Sequence, residues 1–226
     1  MSKTLNYKSC FDVIGPAMVG PSSSHTAGAI KITLTANALL QTQAEKVICR
    51  YYESFAETHQ GHGTDYAVAA GILNFNTQDT RVPRAIELVK EAGIDLTYVE
   101  CKKEKSPVGH ENTIDLILSA GGRTVRLIGA SVGGGTIEVR HYEADGFVVN
   151  PTGPLPMVVN VSQDASYKER LQKELDQLGL SVSHTIFEEK DGWYLAHFEL
   201  EDFLSKDKAQ VIETLRDEKH AIYILK

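Results

Sequence analysis

A proline-rich stretch about two thirds of the way along the chain places the strongest constraint on the fold. The segment 150–156 contains three prolines and one glycine. Proline lacks a backbone N–H, so it can continue neither a helix nor a central strand. We therefore predict a stiff linker at 150–156. It divides the chain into an N-terminal domain, residues 1–150, and a C-terminal domain, residues 151–226.

The C-terminal domain shows alternating strand and helix patterns. Leucines recur at helical spacing in its first helix, and Asp191-Gly192 between two alternating runs is a hairpin signal. The resulting order βαββαβ predicts a ferredoxin-like fold, with helices on one face of an antiparallel sheet. We predict strands at 157–161, 180–187, 193–200 and 221–225, and helices at 165–179 and 206–216.

The N-terminal domain mixes helical and strand patterns, which indicates an α+β fold. One helix begins near Ser24, where a serine can cap it. Another has Pro83 in its first turn and Gly93 after its end. We predict the remaining helix at 64–73 and strands at 46–52, 96–101, 113–118, 124–130 and 137–142.

Charge and composition exclude several classes of function. The net charge is −7 and lysine and arginine do not cluster, so a nucleic-acid-binding surface is not expected. No apolar run reaches the roughly 20 residues that span a bilayer, and the N-terminus lacks a signal-peptide core, so we expect a cytoplasmic protein without a membrane segment. Cys10, Cys49 and Cys101 are too far apart for a disulfide framework or a complete iron–sulfur site. Cys49 lies in an apolar stretch and is predicted to be a buried small hydrophobe.

The segment 15–28 is the most unusual in the chain. Two Gly-Pro pairs precede three serines, His25 and Thr26 at a helix start. A helix N-terminus presents unpaired N–H groups that attract a carboxylate or phosphate. Serine hydroxyls would add donors, and His25 would supply a titratable group. The alternative is a serine-rich helix cap with an incidental histidine.

A second polar segment, 53–65, places His62 between Gly61 and Gly63. Flanking glycines predict a loop on which the imidazole can approach a ligand. A plain surface loop is one alternative. Another is a metal site, although no recognised zinc spacing is present. Its candidate ligands are Glu57, His59, His62 and Asp65.

A third segment, 129–136, contains three successive glycines between two predicted strands. It is not a phosphate-binding Walker A loop, because no Gly-Lys-Ser/Thr follows. We predict a structural bend or a close approach of the backbone.

These segments together resemble a known family. The stretches 11–16 and 20–28, the 61–65 loop and the 131–135 segment are similar, in the same order, to those of iron–sulfur L-serine dehydratases. The chain resembles the β (small) subunit of the two-chain form. Its N-terminal domain also resembles the allosteric substrate-binding domain of some phosphoglycerate dehydrogenases. The C-terminal domain resembles an ACT domain, but Ala165 and Ser166 stand where ligand-binding members have Pro-Gly, so packing or dimerisation competes with sensing.

The resemblance implies a reaction and assigns its cofactor and its catalytic residues to different subunits. L-serine would be converted to pyruvate and ammonia without pyridoxal phosphate, by a 4Fe-4S cluster bound to a separate L-serine dehydratase α subunit within a higher hetero-oligomer. His25 and His62 would be the catalytic residues. The implied substrate-binding residues are Ser22, Ser23, Ser24, Thr26, Gly63, Thr64 and Asp65. The alternative from another class is a non-catalytic, serine-sensing regulatory subunit.

Overall fold

The computed structural model describes residues 17–226. The chain forms two compact units, the first ending at Ala144 and the second beginning at Asp145. The sequence features at Cys10 and at 11–16 lie outside the described residues. No helix among residues 17–226 is long and apolar enough to cross a membrane.

The first unit is an α+β structure built on a mixed sheet, as predicted. Its strands lie in the order β2-β1-β3-β4-β5, and β1 and β2 are parallel while the other neighbours are antiparallel. The elements are α1 (Gly28–Leu40), β1 (Lys46–Tyr52), α2 (Glu53–Thr58), α3 (Thr64–Ile72), α4 (Ala85–Glu91), β2 (Asp95–Cys101), β3 (Asn112–Ala120), β4 (Arg123–Gly133) and β5 (Thr136–Ala144).

Helix α1 is the central element of the first unit, because it contacts α3 as well as strands β3, β4 and β5. Ile30 and Ile32 are fully buried. The α1–α3 contact depends on Gly71, where an added Cβ would lie 2.5 Å from Thr33 Cβ and 3.0 Å from the Ile30 carbonyl oxygen. The predicted helix at 64–73 therefore packs closely against α1.

Strand β1 begins and ends at the predicted residues, and Cys49 within it is fully buried, as expected. Burial raises the pKa of the Cys49 thiol well above its ordinary value. Because only the thiolate is strongly nucleophilic or ligating, Cys49 is a packing residue.

The second unit has the predicted element order βαββαβ after one short additional strand, β6. Its sheet has the order β10-β7-β9-β8 with every neighbouring pair antiparallel. Asp191 and Gly192 adopt φ values of 53° and 77°, as the predicted hairpin turn requires. The elements are β6 (Phe147–Val149), β7 (Met157–Ser162), α5 (Tyr167–Gln177), β8 (Val182–Lys190), β9 (Trp193–Leu200), α6 (Lys206–Glu213) and β10 (His220–Leu225).

Both helices of the second unit pack on the same face of this sheet. Leu171 and Leu175 of α5 and Ile212 of α6 share one core with Val158 and Phe198, which are paired on neighbouring strands. The spacing of leucines in the sequence therefore identified the buried side of α5 correctly.

A buried carboxylate in the second unit should make stability depend on pH. Glu199 is 2% exposed and accepts a hydrogen bond from the Thr152 backbone N–H at 2.8 Å. Burial raises the pKa of Glu199, but hydrogen bonds from His197 and Thr152 outweigh it and lower the pKa from 4.5 to about 2. The ionised carboxylate therefore stabilises the fold above pH 4.5, and this stabilisation is lost as the pH falls towards 2.

We expect Glu199 to contribute on the order of 3 kcal/mol at neutral pH. The free energy of unfolding of the wild-type chain, measured by denaturant titration, should fall between about pH 4.5 and 3 more steeply than that of Glu199→Gln. Parallel pH profiles for the two proteins would show that the Glu199 carboxylate is not the titrating group.

Candidate functional site

The serine-rich segment forms the entry to α1. Ser22 has extended backbone angles, and its Oγ accepts a hydrogen bond from the His25 backbone N–H at 3.1 Å, so Ser22 is the cap. Residues Ser23–Ala27 form a π-helical turn before α1 begins at Gly28. Such wide turns are rare and frequently lie at functional sites. The helix was predicted here, but its π-helical first turn was not.

His25 is held among hydroxyl groups. Its ring is only 8% exposed, and its Nδ1 lies 3.0 Å from Ser24 Oγ and 3.4 Å from Ser22 Oγ. On the other side of the ring, Nε2 lies 3.5 Å from Ser54 Oγ. The edge of the ring also contacts Phe55, with 4.8 Å between ring centroids. The surroundings of His25 thus combine hydrogen-bonding partners with an apolar wall.

Sequence reasoning missed Ser54 because the whole segment 53–65 was interpreted as a polar loop. In the structure Glu53–Thr58 forms the short helix α2, which begins directly after β1. Glu53 adopts φ 44°, and the Ser54 backbone N–H donates to the Glu111 carbonyl at 3.0 Å. No pattern in the sequence indicates that this sharp strand-to-helix change would turn Ser54 towards His25.

His62 lies in the turn between α2 and α3 and is exposed. Gly63 after it has φ 70°, a left-handed conformation that explains a glycine at this position. The rings of His25 and His62 are in edge contact, with 4.6 Å between centroids. The Thr26 hydroxyl donates to the His62 carbonyl oxygen at 2.9 Å. The two histidines named from the sequence are therefore neighbours.

The electrostatic environment favours a neutral His25. Burial lowers the pKa of His25 below its ordinary value of 6.5, nearby His62 lowers this pKa further, and Glu111 acts in the opposite direction. At neutral pH a ring with such a lowered pKa is mostly unprotonated. Its neutral form can accept a proton, which is the requirement for a general base.

The remaining predicted site residues occupy distinct positions around this pair. Ser23 is half-buried, and its carbonyl accepts from the Gly28 N–H. Thr64 is fully buried, and its Oγ has no hydrogen-bond partner among the described residues. Among residues 17–226, no hydrogen bond joins the Asp65 side chain to the ring of His25 or His62. Its Oδ1 instead lies 2.7 Å from His59 Nδ1.

The alternative metal site predicted from Glu57, His59, His62 and Asp65 is wrong. Between residues 17 and 226, no group of three or more histidine, cysteine or acidic side chains is placed to hold a metal ion. His59 instead lies between two carboxylates, Asp65 and Glu100.

The glycine-rich segment forms the turn between β4 and β5, as its structural interpretation predicted. The pairing register shifts between Ser131 and Gly133. Gly133, Gly134 and Gly135 all have positive φ. Ser131 is fully buried and belongs to the strand, so this segment forms a bend rather than a phosphate-binding loop.

Fold and site together define an α+β protein with a paired-histidine site surrounded by hydroxyl groups, an arrangement suited to proton transfer on a small polar molecule. Residues 9–142 match the family model described as serine dehydratase beta chain. The chain therefore belongs to the serine dehydratase beta chain family, which confirms the resemblance found in the sequence.

Two relatives illustrate this membership. The chain is 38% identical over 198 residues to a probable L-serine dehydratase, beta chain, of Bacillus subtilis (strain 168), an alignment that covers 87% of this chain and 88% of the relative. It is 41% identical over 132 residues to the L-serine dehydratase, beta chain, of Peptoniphilus asaccharolyticus, which covers 58% of this chain and 59% of that one.

Proposed function

We propose that the chain is the β subunit of an L-serine dehydratase, which converts L-serine to pyruvate and ammonia in the cytoplasm together with an α subunit. The observation that carries this proposal is the contact between His25 and His62, with 4.6 Å between ring centroids, in a chain of the serine dehydratase beta chain family. A proton-transfer pair within a hydroxyl-lined site is what removal of an α-proton requires.

The 4Fe-4S cluster that the family resemblance implies is assigned to the α subunit. The described residues of this chain do not fit such a cluster, since no three suitable side chains lie together. Cys49 and Cys101 are buried, and burial raises the pKa of each thiol, whereas cluster ligands are thiolates. Pyridoxal phosphate has no part in the proposed reaction.

The start of the π-helical turn is the proposed site for the substrate carboxylate. The first N–H groups of a helical segment have no partner within it and favour an anion. The hydroxyls of Ser22 and Ser24 lie next to His25 and can donate to the same carboxylate. The Thr26 hydroxyl hydrogen is already donated to the His62 carbonyl. In the proposal it fixes the position of His62.

The two histidines would exchange the proton taken from the α-carbon. Burial lowers the pKa of His25, which favours the neutral form that can accept a proton. His62 is exposed and lies against the His25 ring, so it can contact both the substrate and solvent. Separate alanine substitutions at the two positions would test whether each ring takes part in turnover.

Co-expression tests the proposal directly. This chain and a cluster-bearing α subunit would be produced together under anaerobic conditions, and pyruvate formed from L-serine would be measured. We expect activity from the pair and none from either chain alone. Full activity from the α chain alone would contradict a shared active site and would support the alternative, a serine-sensing regulatory subunit.

The second unit bears on this regulatory alternative. Its βαββαβ order is that of the proposed ACT domain, assigned to residues 151–226. The loop after β7 forms internal hydrogen bonds. Asp164 Oδ1 accepts one from the Ser166 backbone N–H at 2.9 Å and another from the Ser166 hydroxyl at 2.8 Å. This N–H is therefore not available to a ligand carboxylate, so we propose that the ACT-like unit serves in packing or dimerisation within a hetero-oligomer.

A further inference from the structure

We propose that His59 is a positioning residue that fixes the turn carrying His62 by bridging two carboxylates. The inference rests on the proposed function, because it concerns how one of the two site histidines is held. Sequence reasoning considered His59 only as a metal ligand. The structure gives this side chain a different set of partners.

Both ring nitrogens of His59 face carboxylate oxygens. Nδ1 lies 2.7 Å from Asp65 Oδ1, and Nε2 lies 2.8 Å from Glu100 Oε1. A ring nitrogen that carries a hydrogen can donate it to the carboxylate oxygen beside it. The His59 side chain is only 7% exposed, so solvent competes little with these two contacts.

His59 and Asp65 flank the turn that carries His62. Within this turn the Thr64 N–H donates to the His59 carbonyl at 2.9 Å, and the His62 N–H donates to the Thr58 carbonyl at 3.1 Å. The His59–Asp65 bond closes the same turn through side chains. His62 therefore lies within a turn that is closed by a backbone bond from Thr64 to His59 and by a side-chain contact between His59 and Asp65, which restrict the movement of its backbone.

Residues of strands β1 and β2 also hold the His62 turn in place. The His59 ring stacks on the fully buried Tyr51 of β1, with 5.0 Å between centroids. Tyr98 of β2 also stacks on Tyr51 and donates its hydroxyl hydrogen to the Asp65 carbonyl at 2.7 Å. Glu100 is also on β2 and pairs with Lys102 at 2.5 Å. The turn is thus tied to both parallel strands, while the His62 side chain remains exposed.

Loss of this bridge should displace His62 without removing any group that touches substrate. A displacement of about 1 Å near a reacting centre can cost on the order of 100-fold in rate. In the αβ complex we expect His59→Gln to lower kcat about 10-fold or more. The KM for L-serine should change much less, because the serine hydroxyls near His25 are untouched.

Variants of Glu100 separate positioning from general destabilisation. Glu100→Gln keeps a carbonyl oxygen that can accept from His59 Nε2, so it should retain most of the activity. Glu100→Ala removes the acceptor and should lower kcat, like His59→Gln but less. Glu57→Ala, an exposed change on α2, is the matched control and should behave as wild type.

A second readout does not need catalysis. In the full chain, amide hydrogen exchange at His62 and Thr64 should accelerate in His59→Gln and not in Glu57→Ala, since both amides donate within the turn. If His62→Ala abolishes turnover but His59→Gln keeps wild-type kcat and exchange rates, the inference is wrong. If His62→Ala itself leaves turnover unchanged, His62 has no part in the mechanism, and the exchange rates alone decide whether His59 holds the turn. The proposed function fails separately, if the α chain alone is fully active.

Discussion

Replacing His62 by alanine should lower the turnover of L-serine by the αβ complex at least about 100-fold, since a positioned acid–base group contributes about 10²–10⁴ to a rate. The His62 ring contacts His25 at 4.6 Å between centroids and is exposed, so its removal takes away a group at the proposed site without opening a cavity in the core. The measurement is kcat from initial rates of pyruvate formation at saturating L-serine.

The neighbouring position provides the control for this experiment. Gln60 is exposed in the same turn, and Gln60→Ala should retain wild-type kcat. Both variants should assemble with the α subunit to the same extent in gel filtration. Wild-type turnover by His62→Ala would remove His62 from the mechanism, and loss of assembly would give it a structural role instead.

Arg126→Met should destabilise the first unit by about 3 kcal/mol, because it leaves a buried carboxylate short of partners. Asp115 is fully buried on β3 and accepts from Arg126 Nε at 2.9 Å and from its Nη2 at 3.0 Å. Among residues 17–226, only Arg50, at 3.3 Å, would remain to neutralise it. The hydrogen bonds from Asp115 also hold the pKa of Arg126 above its usual value. The measurement is the free energy of unfolding in urea.

A double variant tests whether the unpaired charge of Asp115 causes this loss of stability. Arg126→Met combined with Asp115→Asn removes both charges while keeping similar side-chain volumes. The double variant should be more stable than Arg126→Met alone by about 1 kcal/mol, because the carboxylate that lost its partner is gone. If the destabilising effects of Arg126→Met and Asp115→Asn simply add in the double variant, the loss comes mainly from packing around the aliphatic part of the Arg126 side chain.

Most regular elements of the fold could be predicted from the sequence because their patterns are local. Strand β1 agrees with its prediction at both ends, and the βαββαβ order follows from leucine spacing and the Asp191-Gly192 turn. Helix α2 and strand β6 were missed. Helix α2 is short and begins at Glu53 in a left-handed conformation, and strand β6 is only Phe147–Val149, too short to show an alternating pattern.

The site was predicted less completely, since it depends on contacts between distant segments. Spacing alone left open whether His25 is a functional group or an incidental residue in a helix cap, and only the family resemblance placed it in one site with His62. The structure confirms that the two rings are neighbours. The bond from Thr26 to the His62 carbonyl and the bond from Asp65 to His59 could not be read from the sequence. Both use side-chain groups that were expected to face the substrate.

The parallel pairing of β1 and β2 has a consequence for how the chain folds. Parallel neighbours need a crossover connection, and here the crossover carries α2, the His62 turn, α3 and α4. His59 lies near the start of this crossover, whereas its partner Glu100 lies near the end of β2. Closing so long a connection is entropically costly and slow. The turn therefore gains its second anchor only when β2 joins the sheet, and a nascent chain that has not reached this step carries His62 on a turn without its contacts to Glu100 and Tyr98.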